Sequence, residues 1–514
     1  MSEPVTVDAR SGPELRIKSA RGRWVLAVTI LGSGIAFLDS TVVSVALPRI
    51  GRELSAGLAD LQWTVTAYTL TLSALLLLGG ALGDRYGRRL VFVIGLVWFG
   101  AASLLCGIAP SAPFLVGARA LQGIGGALLT PGSLAIIQSS FQQRDRGAAI
   151  GAWSGFAALF GAVGPLLGGV LVMLVSWRLV FFINPPLAAI AVVLALRHVP
   201  ETMRPSPRGH LDLQGPVLAA LGLGGLTYGL IEGAATGWTQ PANIASLLGG
   251  AALLLAFLVV EATRRDPLMP LDVFKSRTFS GANGSTFLIY GALGGISFLV
   301  VMQLQVVMGY SPLAAGVALL PLTVMLLLFS ARSGRLASAT GPRLPMTVGP
   351  LIAGAGMAMF ARVAPGSSYL VAVLPAALVF GLGMVLIVPA LTTTALGAVP
   401  AARAGLASAI NNDVARAAGL IAVAVVPALA GIATGGSTVH KAALASGFAT
   451  GTYICGGLCV LGGVVAWFTI PSREHSTCGA EPLPECAFPP SIAIPRVTRE
   501  LADAQERVPA GASS

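Results

Sequence analysis

Two charged residues, Asp39 and Arg119, lie inside long apolar stretches of this sequence. Charged side chains in such stretches are rare, and they usually face an interior cavity or pair with each other. A carboxyl group in a poorly solvated cavity binds a proton readily, whereas a nearby arginine favours the ionised carboxylate. Competition between Arg119, a cationic ligand and a proton would make Asp39 an acid that couples proton binding to ligand binding. The alternative is a static ion pair that only stabilises the fold.

A second pair, Asp413 and Arg416, is spaced three residues apart in another apolar stretch. Residues at positions i and i+3 are neighbours on one face of a helix. These two lie only two to three helical turns from the end of their stretch, so both side chains could extend along the helix to a polar interface. The other interpretation is a second site for a proton or a cation.

A cluster of glycines with one proline interrupts a further apolar stretch. In a helix interior each Gly costs about 1 kcal/mol and a Pro about 3 kcal/mol relative to Ala. The spacing puts the glycines roughly on one face, which predicts close packing against a neighbouring helix, with a bend at the proline. Ordinary tight packing without a functional meaning would give the same pattern. The cluster consists of Gly161, Gly164, Pro165, Gly168 and Gly169.

The composition is that of a polytopic membrane protein. Of the 514 residues, 55% are hydrophobic and 10% are charged, and the mean hydropathy is +0.82. A soluble domain has about 25% charged residues. The apolar stretches have the length of membrane-spanning helices, so we predict an all-α protein with fourteen spans. The predicted spans are 24–47, 61–82, 90–109, 112–138, 147–172, 179–196, 211–233, 243–261, 279–304, 314–331, 345–362, 369–391, 406–434 and 446–470.

The distribution of positive charge predicts the orientation. With the N-terminus in the cytoplasm, 25 of the 32 Lys and Arg residues lie in cytoplasmic segments and five in outer segments. This asymmetry follows the positive-inside rule and places both termini in the cytoplasm. The net charge of +11 therefore reflects topology, and a nucleic-acid partner is not expected. At about 1.5 Å per residue, Asp39 and Arg119 then lie at the same depth below the outer face.

Three pairs of segments echo each other at nearly constant spacing. The pattern of two glycines and a proline at Gly123, Gly125 and Pro131 recurs at 381, 383 and 389. A repeat of this kind predicts two six-helix halves in parallel order, with the substrate site between them. Fourteen spans leave the seventh and eighth as an insertion. We therefore expect a cytoplasmic segment 1–23, an N-terminal half 24–196, a linker with two inserted helices 197–278, a C-terminal half 279–470 and a disordered cytoplasmic tail 471–514.

Six segments, in order along about residues 20–470, resemble the major facilitator superfamily, specifically its fourteen-helix drug:proton antiporter branch. The segment 80–90 resembles the signature loop between the second and third spans, and 115–127 the signature of the fourth span. The glycine cluster is similar to the antiporter motif of the fifth span. The remaining three segments are 38–50, 177–186 and 308–321.

The resemblance implies a conformational latch in the second-to-third loop. In the family, the loop aspartate contacts the start of a helix in the other half, here the thirteenth span. A carboxylate at a helix N-terminus is favoured by about 0.3–1 kcal/mol, which is enough to bias an equilibrium between two conformations. The alternative is a turn whose basic residues only hold this loop on the cytoplasmic side of the membrane. The residues of the predicted latch are Gly80, Asp84, Arg85, Gly87, Arg88 and Arg89.

The resemblance further implies proton-coupled export of amphipathic, cationic drugs or antibiotics across the bacterial cytoplasmic membrane by alternating access. The expected partners are a drug-like small molecule, protons and the lipid bilayer, with the chain acting as a monomer. The proton gradient replaces a cofactor, and neither a metal site nor enzymatic activity is expected. The alternatives are an exporter of a metabolite or lipid, a nutrient:proton symporter, and a non-transporting sensor on the same scaffold.

Overall fold

The computed structural model describes residues 15–202, 213–264, 267–400, 403–432, 436 and 439–472. Most of the predicted N-terminal segment and nearly all of the predicted tail lie outside these ranges. Within them, the chain consists of helices and connecting loops, with a single bridge between Leu15 and Phe141 in place of any sheet.

Fourteen helices are long and apolar enough to cross a membrane, which confirms the predicted number of spans. Each helix corresponds to one predicted span in the same order. They are α1 Ala20–Glu53, α2 Leu58–Tyr86, α3 Arg88–Gly107, α4 Ala112–Ser140, α5 Gln143–Leu174, α6 Leu179–His198, α7 Gln214–Thr236, α8 Pro241–Thr263, α9 Arg277–Val307, α10 Pro312–Ala337, α11 Arg343–Arg362, α12 Tyr369–Gly397, α13 Gly405–Leu429 and α14 Lys441–Thr469.

Several helices run further than the apolar stretches that predicted them. The helix α1 has 34 residues, whereas the predicted span 24–47 has 24. The helix begins at Ala20, after the cap residue Ser19, and continues to Glu53, so it includes polar residues at both ends of the apolar stretch. The Ser19 hydroxyl accepts a hydrogen bond from the Gly22 backbone N–H and so satisfies one of the unpaired donors of the first turn. Hydropathy reports only the part of a helix within the bilayer, so it underestimates such ends.

Equivalent glycines make equivalent contacts in the two halves. A Cβ atom at Gly125 of α4 would lie 2.8 Å from the Phe99 backbone nitrogen of α3. A Cβ atom at Gly383 of α12 would collide in the same way with the Ala353 backbone of α11. The repeat seen in the sequence therefore reflects one packing arrangement used twice. The structure has the predicted architecture of two six-helix halves and two inserted helices.

The inserted helices α7 and α8 pack against each other, and α7 also packs against α2 and α13. Because α2 belongs to the N-terminal half and α13 to the C-terminal half, α7 lies along the boundary between the halves. The indole nitrogen of Trp63 on α2 donates a hydrogen bond to the Glu232 carboxylate on α7, at 3.3 Å.

The buried core shows where the halves join. We call the side on which α1 begins and α14 ends the terminus side, and the opposite side the far side. The largest core cluster includes Leu47 and Ile50 of α1 together with Leu304 and Val307 of α9, at the far side. The two smaller clusters lie on the terminus side, and neither combines fully buried residues of both halves. Continuous burial between the halves is thus concentrated at the far side.

Candidate functional site

The structure brings Asp39 and Arg119 into direct contact. A guanidinium nitrogen, Nη1 of Arg119, lies 2.5 Å from Asp39 Oδ2, and both residues are 1% exposed. The equal depth inferred from the helix rise is therefore realised as an ion pair between α1 and α4. In the low-dielectric interior, two charges in contact attract strongly, although their burial is costly.

Both carboxylate oxygens of Asp39 accept hydrogen bonds. Besides the bond from Arg119, Oδ1 accepts one from Gln122 Nε2 and one from Asn184 Nδ2, each at 2.9 Å. The Ser103 hydroxyl oxygen accepts from the same two amides, at 2.6 and 3.0 Å. Residues of α1, α3, α4 and α6 thus form a buried polar cluster, and we call these five residues the Asp39 cluster.

The remaining contacts of Arg119 also lie within the N-terminal half. Its Nε donates to the Thr64 carbonyl oxygen on α2 at 3.1 Å, and its guanidinium carbon lies 4.4 Å from the centre of the Tyr68 ring. A second aromatic ring, that of Phe181, is 5.8 Å away. The face of an aromatic ring attracts a cation. Arg119 is therefore held by neighbours on every side.

A cavity of about 250 Å³ lies between the two halves. It is formed by α1 and α2 of one half and by α9 and α13 of the other. Its lining is apolar with several hydroxyl groups, and its charged residue among the described ones is Arg416. Neither Asp39 nor Arg119 lines it. The lining consists of Ser44, Val65, Thr66, Thr69, Tyr290, Leu293, Gly294, Ser297, Phe298, Ala415, Arg416, Gly419, Leu420 and Val423.

The second predicted pair takes a different position from the first. Arg416 is one of the residues that line the cavity. Asp413 lies about one turn earlier on α13, and its buried Oδ1 has no hydrogen-bond partner among the described residues. By contrast, the neighbouring Asn411 amide donates to Thr286 Oγ1 at 2.8 Å and to Asn283 Oδ1 at 3.2 Å.

The glycine cluster packs on two different surfaces, which corrects the prediction of one shared face. A Cβ atom at Gly164 would collide with the Thr41 side chain of α1, and one at Gly168 would lie 3.1 Å from the Val42 Cα. Gly161 has no neighbour within 4 Å. The i, i+3, i+7, i+8 spacing spreads over more of the helix circumference than one contact covers, so Gly169 points elsewhere.

Gly169 faces the opposite half. A Cβ atom there would lie 2.6 Å from the Leu313 Cα at the start of α10. In return, a Cβ atom at Gly316 would lie 2.5 Å from the Pro165 carbonyl oxygen. The antiporter-like cluster and the segment 308–321 therefore form one crossing of α5 and α10 with almost no space between the backbones.

The loop between α2 and α3 is held by its own half. The Asp84 carboxylate pairs with Arg88 Nη2 at 2.8 Å, and Arg88 also donates to the Ala135 carbonyl oxygen of α4. Gly87 has φ +111°, and a Cβ atom there would lie 2.7 Å from a Glu201 oxygen. Glu201 accepts hydrogen bonds from the backbone N–H groups of Arg89 and Leu90, so its carboxylate caps α3.

The predicted latch contact to α13 is not found among the described residues, although residues 401 and 402 lie outside them. The ion pair of Asp84 joins the last turn of α2 to the first residue of α3, Arg88. Arg403, ahead of α13, pairs instead with Asp272 at 2.5 Å. The hydrogen bond from Arg403 lowers the pKa of the Asp272 carboxyl group, and this pair is exposed.

Two further residues of the predicted latch, Arg85 and Gly80, lie at the end of α2. The Arg85 guanidinium carbon lies 5.7 Å from the centre of the neighbouring Tyr86 ring. Gly80 is not tightly packed, since a Cβ atom there would lie 3.6 Å from Pro131. The close approach belongs to the adjacent Gly79, where a Cβ atom would collide with the Ala127 carbonyl oxygen of α4.

A family model of the Major Facilitator Superfamily matches residues 29–424. The chain belongs to this superfamily. It is therefore a multi-pass bacterial membrane transport protein and not an enzyme, as the sequence predicted.

Several resistance and export proteins of bacteria are similar along most of the chain. Puromycin resistance protein pur8 of Streptomyces alboniger is 37% identical over 82% of this chain and 83% of its own length. Multidrug resistance protein Stp of Mycobacterium tuberculosis is 35% identical over 75% and 71%. The tetracenomycin C resistance and export protein of Streptomyces glaucescens is 34% identical over 78% and 74%.

Two solved transporter structures are similar in fold. A peptide transporter of the POT type in complex with sulfate aligns with a TM-score of 0.63 at 15% identity, over 86% of this chain and 93% of that one. A bacterial homolog of the human lysosomal transporter Spinster, in an inward-facing and unoccupied conformation, aligns with a TM-score of 0.63 at 17% identity, over 88% and 97%.

Sequence reasoning missed several residues that the structure places in the candidate site or at contacts between its helices. Asn184 and Ser103 complete the Asp39 cluster, and Glu201 caps α3. A further residue, Gln62, donates from α2 to the Val423 carbonyl oxygen of α13 at 2.6 Å and so joins the halves. The available signal was a polar side chain inside an apolar stretch, which Asn184 and Gln62 share with Asp39.

Proposed function

We propose that the chain exports amphipathic, drug-like compounds across the bacterial cytoplasmic membrane in exchange for protons, by alternating access. The names of three similar proteins, which refer to resistance against puromycin, several drugs and tetracenomycin C, support a drug as cargo. The excess of Lys and Arg in alternate loops supports an orientation with both termini in the cytoplasm. In this orientation the far side faces outward, and the chain works as a monomer.

The observation that carries the proposal is the position of the Asp39 cluster on α1. This helix also contributes Ser44 to the cavity, two turns or less from Asp39. It packs against Gly164 and Gly168 of α5, the helix that crosses α10 at the far side. One helix therefore connects a buried acid, the wall of the cavity and the outer contact between the halves.

This connection gives a route for coupling. A proton on the Asp39 carboxyl group would remove the charge that pairs with Arg119, and the cluster would rearrange because a buried cation needs a counter-charge. Movement of α1 would then alter the cavity wall and the α5–α10 crossing together. We infer that proton binding from outside accompanies cargo release, and that proton loss to the cytoplasm resets the carrier.

The test uses Asp39→Asn in inverted membrane vesicles. We expect this variant to lose cargo accumulation driven by a pH gradient while retaining cargo exchange at equilibrium, because the amide cannot carry the proton. Asp272→Asn is the matched control, since it changes an exposed carboxylate outside the membrane-spanning helices that the proposal does not place in the coupling step.

Removing one partner of a buried ion pair can unfold the protein, so Asp39→Glu serves as the second variant. It keeps the acid and should keep gradient-driven transport at a reduced rate. Full coupling in a folded Asp39→Asn protein would contradict the proposal.

A further inference from the structure

We propose that the cavity between the halves selects cargo that carries an anionic group, and that Arg416 binds this group. The inference rests on the proposed export function and names the charge of its substrate. It replaces the cationic cargo expected from the sequence, because the described lining of the cavity holds no carboxylate.

The lining of the cavity is positively charged in the part of the chain that the structure describes. Arg416 is the charged residue of the described lining, whereas the other polar residues of the lining carry neutral hydroxyl groups, for example Thr66 and Ser297. In a poorly solvated cavity between helices, the interaction between two charges is several-fold stronger than in water. A cationic compound would therefore be repelled, and an anionic one attracted, by the same residue.

The side chain of Arg416 has hydrogen-bond donors available for a ligand. No hydrogen bond or ion pair joins its side chain to another residue in the described part of the chain. Arg119 differs in that its guanidinium donates to Asp39, Gln122 and Thr64. Arg416 thus keeps its planar set of donors for a ligand, and this set matches a carboxylate or phosphate through two parallel hydrogen bonds.

The apolar residues of the lining indicate what the rest of the substrate molecule is like. Tyr290 and Phe298 provide aromatic faces, and Val65, Leu293 and Leu420 provide aliphatic ones. Such a lining favours an apolar, aromatic body with a few oriented polar groups. The cargo is accordingly an amphipathic aromatic acid.

Asp413 is the acid that could oppose this selection. It lies one turn from Arg416 on α13, outside the lining of the cavity. The two residues interact electrostatically, but no ion pair joins them in the described part of the chain, so Asp413 weakens the attraction of Arg416 for an anion without a direct contact. If the charge of Asp413 outweighed that of Arg416, the cavity would prefer cations. The comparison of an anionic and a cationic dye distinguishes these two outcomes.

The test compares two dyes that share one xanthene scaffold, the anionic fluorescein and the cationic rhodamine 123, in inverted vesicles with a pH gradient. Accumulated dye is extracted and read at one fixed pH, because fluorescein emission changes with pH. We expect the wild-type protein to transport fluorescein with the lower KM. Arg416→Gln should raise the KM for fluorescein about tenfold, the loss expected for a charge-assisted contact, and leave that for rhodamine 123 unchanged or lower.

Two controls keep the outcome interpretable. Arg416→Lys keeps the charge and should recover part of the affinity for fluorescein. Arg332→Gln removes an exposed arginine of α10 that does not line the cavity, and it should change neither KM. A lower KM for rhodamine 123 in the wild type, with no effect of Arg416→Gln on fluorescein, would overturn the inference. If neither dye nor any drug were accumulated under a pH gradient, the export proposal itself would fail.

Discussion

Both halves of the molecule place an aspartate and an arginine within the membrane-spanning helices, but they treat them differently. In the N-terminal half, Asp39 and Arg119 are in contact, fully buried and surrounded by amides, a hydroxyl and aromatic rings. In the C-terminal half, Arg416 lines the cavity, and a buried oxygen of Asp413 has no hydrogen-bond partner among the described residues.

The comparison shows that residue type alone does not assign a role. A buried pair whose charges are in contact would rearrange if one charge were lost, so it is suited to coupling. A set with free bonding capacity beside a cavity is suited to holding cargo. Each of the following variants changes one of these two sets or the helix packing that maintains it.

The largest effect is expected from Arg119→Gln. Loss of the guanidinium leaves the Asp39 carboxylate buried without its counter-charge, which costs about 3–5 kcal/mol. Thermal unfolding in detergent should show a clear loss of stability. The double variant Asp39→Asn with Arg119→Gln should recover part of this loss, because neither charge then remains, but it should not recover gradient-driven transport. Equal stability of Arg119→Gln and the wild type would show that the two charges are not buried in contact as described above.

A smaller effect is expected from Gly168→Ala. The added methyl group would meet the backbone of α1 at Val42, three residues from Asp39, and overpacking of this kind costs about 1–3 kcal/mol. The variant should slow gradient-driven transport several-fold. Gly161→Ala on the same helix is the control, since its Cβ atom would enter open space. If both substitutions behaved alike, the contact between α5 and α1 would not maintain the Asp39 cluster.

The smallest effect on stability is expected from Asp413→Asn. Because its buried oxygen Oδ1 makes no hydrogen bond within the described structure, the substitution should change the unfolding temperature little, in contrast to Arg119→Gln. Removal of the opposing charge should lower the KM for fluorescein by a few-fold. An increase in that KM, or loss of all transport, would place Asp413 in the same class as Asp39.

Most of the fold could be predicted from the sequence, because a helix that crosses the bilayer needs an apolar stretch of about 20 residues. Apolar stretches of spanning length gave all fourteen helices, and the repeated Gly123 and Gly381 patterns gave the two halves. The helix ends were less predictable, since polar caps such as Ser19 extend helices beyond the apolar stretch. Depth along two helices correctly indicated that Asp39 and Arg119 could pair.

The site was predicted less completely, because side-chain direction depends on helix rotation and packing. The depth argument could not show that the Asp39 cluster lies outside the lining of the cavity or that Arg416 contributes to it. The contact between Gly169 and Leu313 joins residues far apart in sequence, and no periodicity in either segment reveals it. Glu201 lies in a connecting segment, where hydropathy carries no information about a helix cap.

The most direct test of the division between the two sets is gradient-driven uptake of fluorescein into inverted vesicles by Asp39→Asn and Arg416→Gln, measured side by side across a range of dye concentrations and with the pH gradient present or collapsed. We predict that Asp39→Asn abolishes the dependence on the gradient with little change in KM. Arg416→Gln should raise KM about tenfold while the dependence on the gradient persists. The same defect in both variants would contradict separate roles for the buried pair and the cavity arginine.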